Sequence, residues 1–211
     1  MKILASDVKA LRDLTNAGMM DCKKALLESQ GDIEKAKILL QEKGKNKADS
    51  TSGRIASQGL VSIEIDQTNK LAIVLETNCE TDFAAKDNHF IEFTEQISKL
   101  LISKNIDTTK KLMDSPIEGF NNVDEYRTYV VATLGENIKI RRFERIFFEG
   151  TLGTYIHGTK IAALVDLDTD NTELAKDLAM QIAASKPEYI DQGDIPDAMI
   201  EEELRILRLQ A

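Results

Sequence analysis

The chain has little of what most catalytic sites are built from. Among 211 residues there are only two cysteines, Cys22 and Cys79, and two histidines, His89 and His157. Two distant cysteines with no nearby pair of histidines make neither a zinc site nor a disulfide framework, so reduced thiols are expected. A Gly-rich phosphate loop, a Ser-His-Asp set and a cluster of metal-binding side chains are all missing from the pattern. No enzymatic activity, cofactor or metal is therefore expected. No apolar run approaches membrane-spanning length. The opening Met1-Lys2-Ile3-Leu4-Ala5-Ser6-Asp7-Val8 has neither the apolar centre of a signal peptide nor the Arg-rich character of a transit peptide. A cytoplasmic protein without a membrane partner is the simplest expectation. Positive charge is also in deficit. With 27 basic and 36 acidic residues the net charge is -9, and a surface of that sign is repelled by nucleic-acid phosphates.

What is present is an ordinary globular composition, 42% hydrophobic and 30% charged, with enough apolar residues for a core. The charge is uneven. Residues 1–53 hold 10 basic and 8 acidic residues, so the acidity lies in the remainder. A near-neutral head on an acidic body suggests two modules.

The first 44 residues predict three short helices. Ser6 is a candidate N-cap, followed by Val8, Leu11 and Leu14 on one face. Asn16-Ala17-Gly18 breaks the pattern. A second helix over about Met20–Ser29 has Cys22, Ala25 and Leu26 as its apolar stripe. Gly31 suits a left-handed cap, Asp32 caps the third helix, and Ile33, Ala36, Leu39 and Leu40 form its buried face up to Gly44. Residues 45–58, polar and without periodicity, are predicted as a linker.

From Gly59 the grammar changes. Leu60–Ile65 and Leu71–Leu75, around the turn at residues 66–69, predict a β-hairpin. Phe90, Phe93, Ile97, Leu100 and Leu101 then recur at helical spacing, and another helix is expected over Val123–Leu134. The second half repeats the plan, with a strand over Ile138–Phe148, a hairpin from Thr154–His157 and Ile161–Leu167, and a helix marked by Leu174, Leu178 and Ile182. The expected fold is α+β: a three-helix head (1–44), the linker (45–58), and a core of two similar subdomains (59–135 and 136–211) with antiparallel sheets and packed helices. Pro196 opens a C-terminal helix through Ile200, Leu204 and Leu207 to Ala211. Its stripe meets no Gly or Asn cap, as expected if a partner covers it or if the sequence is a shortened form.

Two stretches carry a family resemblance. One is Leu14-Thr15-Asn16-Ala17-Gly18-Met19-Met20-Asp21-Cys22-Lys23-Lys24-Ala25-Leu26 followed by Gly31-Asp32-Ile33-Glu34. The other is Glu80-Thr81-Asp82-Phe83-Ala84-Ala85-Lys86-Asp87. Gly135-Glu136-Asn137-Ile138 with Arg141-Arg142, Tyr155-Ile156-His157-Gly158, and Ala183-Ala184-Ser185-Lys186-Pro187-Glu188 add to them in the same order. Together they resemble the elongation factor Ts family, whose head is a ubiquitin-associated-like bundle. The resemblance implies a guanine nucleotide exchange factor that binds elongation factor Tu, both GDP-bound and nucleotide-free, during protein synthesis.

It also implies roles. Thr81, Asp82, Phe83 and Ala84 match the motif that reaches Tu's nucleotide domain, where the Phe acts as a wedge and the Asp disturbs the magnesium shell. Arg12, Met19, Met20 and Lys23 in the head, and His157, match other contact positions. Ala84 stands where the motif has Val, Ala162 where Gly is common, and Gln181 where His is common. The family's long bacterial form continues past this endpoint with a helical hairpin and a final core segment.

Each position also has a plainer reading. Asp82 caps a turn while Phe83 packs into the core; one of the two methionines fills the bundle; Arg12 and Lys23 are solvated; His157 is structural and His89 merely surface. The head alone would suit a peptide or ubiquitin-like-protein binding module. That alternative leaves the Thr-Asp-Phe stretch without a role. Oligomeric state stays open, a homodimer included.

Overall fold

The computed structural model describes residues 3–15 and 17–210, so Asn16 of the expected helix break and Ala211 of the last helix lie outside the described residues. In chain order the elements are α1 (Ala5–Thr15), α2 (Met19–Glu28), α3 (Ile33–Thr51), β1 (Gln58–Asp66), β2 (Leu71–Cys79), α4 (Asp82–Ala85), α5 (Asn88–Ser103), α6 (Thr109–Met113) and α7 (Val123–Leu134). They continue with β3 (Lys139–Phe147), β4 (Thr151–His157), β5 (Ile161–Leu167), α8 (Thr172–Ser185) and α9 (Asp197–Gln210). The mixture of helices with antiparallel sheet is the expected α+β class.

The head buries Val8, Leu11, Cys22, Ala25, Leu26 and Ala36 in a small core of its own. Gln30 and Gly31 both take positive φ (55° and 86°) between α2 and α3, and the Asp32 side chain accepts the Lys35 N–H at 3.1 Å. Ser6 is not the cap of α1. The helix begins at Ala5, and Asp7 reaches back to accept the Leu4 N–H at 3.2 Å.

The third helix does not end at Gly44. It runs on to Thr51, taking up half of the expected linker, and only residues 52–57 separate it from β1. The physical reason is tertiary. Gly44 has no side chain, so α3 can lie close against α7; a Cβ there would stand 3.3 Å from the Ala132 Cβ. One turn later Lys47 Nζ donates to the Ala132 carbonyl at 3.1 Å, and Ala48 joins the main core. Packing of one helix face outweighs the modest helix propensity of glycine and polar residues.

The β1–β2 hairpin closes on Asp66, whose Oδ1 accepts the N–H groups of Thr68 (2.9 Å) and Asn69 (3.0 Å), an Asx-type turn. β3, expected in the second half, pairs instead with β2, giving the order β1-β2-β3. One face of this sheet is covered by α5, with Phe90, Phe93, Ile97 and Leu101 fully buried over Ile73 and Leu75. Tyr126 of α7 meets Phe93 edge-on at 5.1 Å. Two polar pairs fix the register of helix on sheet: Thr77 with Thr94 at 2.7 Å and Ser62 with Ser98 at 2.9 Å.

β4 and β5 form a separate two-stranded sheet, backed by α8. Here the helix turns a different face inward from the one its leucines suggest. Ala175 and Ala179 are buried, whereas Leu174 and Leu178 are exposed. The contact is too close for large side chains: a Cβ on Gly153 of β4 would overlap the Ala175 backbone. α9 buries no residue, leaving Met199, Leu204, Leu207 and Leu209 exposed. Among the described residues no helix is long and apolar enough to cross a membrane.

Both thiols are free and buried. Burial, with the Glu136 carboxylate adding to it, pushes Cys79 up to about 12. In the unfolded chain a thiol ionises near 8.5. The native state therefore holds that proton more tightly, and its contribution is complete below about pH 8.5 and is lost as pH rises toward about 12. Urea midpoints measured at about pH 8 and about pH 10.5 should fall between the two, less so in Cys79→Ser. Equal midpoints would contradict the burial of this thiol.

Candidate functional site

The Thr-Asp-Phe stretch sits where β2 leaves the sheet. Thr81 takes an extended conformation and caps α4, its hydroxyl accepting the Ala84 N–H at 3.2 Å. Thr81, not Asp82, is the cap. The turn carries Ala84 and Ala85 inward, where both join the main core, and sends Phe83 outward with 81% of its surface exposed. Phe83 is thus not a core residue. Ala84, by contrast, faces the core. The outward face of the motif is Asp82 and Phe83.

Asp82 pairs with Lys86 at 3.2 Å, but both side chains are more than half exposed. Such a pair is weak and easily exchanged for another partner. A large aromatic standing in water next to a loosely held carboxylate is unusual for a monomer surface, and such side chains are typical anchors of an interface.

The turn is clamped from outside. Glu136 Oε2 accepts the backbone N–H groups of Glu80 (3.0 Å) and Thr81 (2.9 Å), and Oε1 accepts the Thr81 hydroxyl at 2.5 Å. Glu80 in turn accepts the Asn137 N–H at 2.7 Å and lies 3.5 Å from Arg54. Glu80, Glu136 and Asn137 stand within the motifs of the sequence comparison above, but no role was legible for them. The contact spans more than fifty residues, and nothing local signals it.

In the head, Met19 and Met20 are 48% and 63% exposed, so neither fills the bundle. Lys23 and Arg12 are exposed as well, as is Leu27 one turn further along α2. Cys22, between the methionines and Lys23, points into the bundle. The result is a polarizable apolar surface on α2, with Asp21 and Lys23 both exposed along it.

His157 ends β4 and is exposed. Its Nδ1 lies 3.0 Å from the Tyr155 hydroxyl. The following turn docks on the sheet, with the Val61 N–H donating to the Thr159 carbonyl at 2.8 Å. Val61 is three residues from Gln58, which pairs with Cys79 at the end of β2. The sheet edge thus relates the His157 hairpin to the Phe83 turn, while the head is mounted through α3 on α7. His89 is half-buried, with Nδ1 2.9 Å from Asp87, and lines a cleft of about 600 Å³ between the head and α7. That cleft holds none of the residues singled out by the motifs for partner contact.

Comparison with known proteins places similar sequences along the whole chain. The family model described as Elongation factor TS matches residues 80–211. The Elongation factor Ts of Methylococcus capsulatus is 41% identical over 212 residues, covering all of this chain and 72% of the relative. That of Thioalkalivibrio sulfidiphilus is 42% identical, again over all of this chain and 72% of its own length. That of an Azoarcus species is 44% identical over 97% of this chain and 69% of its own. On a match that spans the whole sequence, and includes the turn that presents Phe83, the chain belongs to the elongation factor Ts family of translation elongation factors.

Proposed function

We propose that the chain is a guanine nucleotide exchange factor that binds elongation factor Tu·GDP and promotes GDP release, so that GTP can bind. It makes and breaks no covalent bond. It needs only to bind the nucleotide-free state of Tu better than the GDP-bound state. By linkage, whatever factor it takes from GDP affinity, GDP takes from its own affinity for Tu. Accelerating release about ten-thousandfold requires about 5.5 kcal/mol of preferential stabilisation of the exit transition state, which a few buried anchors can supply.

The observation that carries this reading is the clamped turn with Phe83 outermost. A rigid ring can enter a cleft of the partner as a wedge, and the neighbouring Asp82 carboxylate can compete for the hard-cation surroundings of the nucleotide's magnesium. Arg12, Met19, Met20 and Lys23 supply a docking surface on the head, with His157 as a further contact. The proposal places the protein in the cytoplasm, where its partner works.

Stopped-flow release of a fluorescent GDP analogue from Tu tests it. Acceleration that rises and then saturates with the concentration of this chain supports the reading. No acceleration despite binding to Tu would overturn it.

A further inference from the structure

A single turn of helix cannot hold itself in place, and α4 has only four residues. The hold on its N-terminal side comes from Glu136, which follows the left-handed Gly135 at the end of α7. One carboxylate accepts three hydrogen bonds from Glu80 and Thr81, the two residues just before Asp82. The next residue faces the other way. Asn137 is almost fully buried, and its side-chain amide donates to the carbonyls of Ser52 (3.2 Å) and Arg54 (2.7 Å), just past the end of α3. Two consecutive residues therefore grip the Phe83 turn and the end of the helix that carries the head.

From this geometry we infer that Glu136 is a positioning residue for nucleotide exchange: it presents Phe83 in one orientation and, through Asn137, ties that orientation to the head. The inference rests on the exchange reading above. A contact that merely stabilises the fold would affect binding and exchange together. A positioning contact acts differently. With the head and hairpin intact, Tu still docks; what slows is the step that needs the ring already in place.

The test compares the unaltered chain, Glu136→Ala, Glu136→Gln, Phe83→Ala and the double variant in the release assay, with the concentration of the chain varied. Glu136→Ala should lower the plateau rate about tenfold while the half-saturating concentration moves less than about twofold. Glu136→Gln should recover part of the rate, because an amide oxygen still accepts the two backbone N–H groups. The double variant should be no slower than Phe83→Ala alone, since Glu136 acts through that ring. Amide hydrogen exchange at Glu80 and Thr81 should rise in Glu136→Ala while β2 keeps its protection. If Glu136→Ala does not fold, Glu136→Gln carries the same comparison with a smaller fall.

A wild-type plateau in Glu136→Ala, or a loss that multiplies with that of Phe83→Ala, would overturn the inference alone. Failure of the unaltered chain to accelerate release would instead overturn the exchange reading, and this inference with it.

Discussion

Phe83→Ala should slow GDP release from Tu by about a hundredfold or more, equivalent to about 2.7 kcal/mol, the range of an interface anchor. The same change should leave the fold almost untouched. With 81% of its surface exposed, the ring contributes little to the core, and exposed substitutions of this kind stay within about 0.5 kcal/mol. For a chain of this size that is a shift in melting temperature of about 2 °C or less. The combination separates function from stability at one residue. A normal exchange rate would remove Phe83 from the mechanism, and a large drop in melting temperature would mean that the ring packs where the structure leaves it open.

Much of this was legible in the sequence, and the residues show why. α5 announces itself because its stripe is made of Phe, Ile and Leu at helical spacing, all of it buried. The Leu60–Leu75 hairpin is legible for the same reason, with a turn whose Asp66 does the hydrogen bonding a turn requires. What periodicity does not reveal is close approach. Gly44 reads as a helix end and is instead the point where α3 touches α7. Leu174 and Leu178 read as the buried face of α8, yet the helix lies so near β4 that only Ala175 and Ala179 fit beneath it. In both places small residues make the contact, and smallness has no signature in a hydrophobic pattern.

The site divides in the same way. The Thr-Asp-Phe stretch was found through its resemblance, because nothing in local chemistry says whether Phe83 faces in or out. The structure decides that point by giving the cap to Thr81 and the core to Ala84. The clamp by Glu136 needed three dimensions. It joins the end of β2 to the turn after α7, and a sequence read from one end to the other has no means of placing those two together.

Gly153→Ala tests the other half of the molecule. Its added methyl would overlap the backbone of Ala175, not the movable end of a side chain, so α8 would have to lift from the β4–β5 sheet. Overpacking against backbone belongs at the upper end of the usual range, about 3 kcal/mol. The damage should stay local. The main core draws on residues from α3 to β3 and on none beyond, and the second hairpin meets the large sheet along β1, where the Val61 N–H donates to the Thr159 carbonyl. Hydrogen exchange over residues 151–185 should therefore quicken about a hundredfold, with residues 58–147 still protected. The kinetic signature should differ from that of Phe83→Ala. The ring remains clamped by Glu136, so the plateau rate of exchange survives, whereas the proposed His157 contact is disordered and the half-saturating concentration rises. Loss of protection along the whole chain would show instead that the two halves unfold as one unit. In that case the hairpin would support the Phe83 turn as well as the docking surface, and the plateau would fall with it.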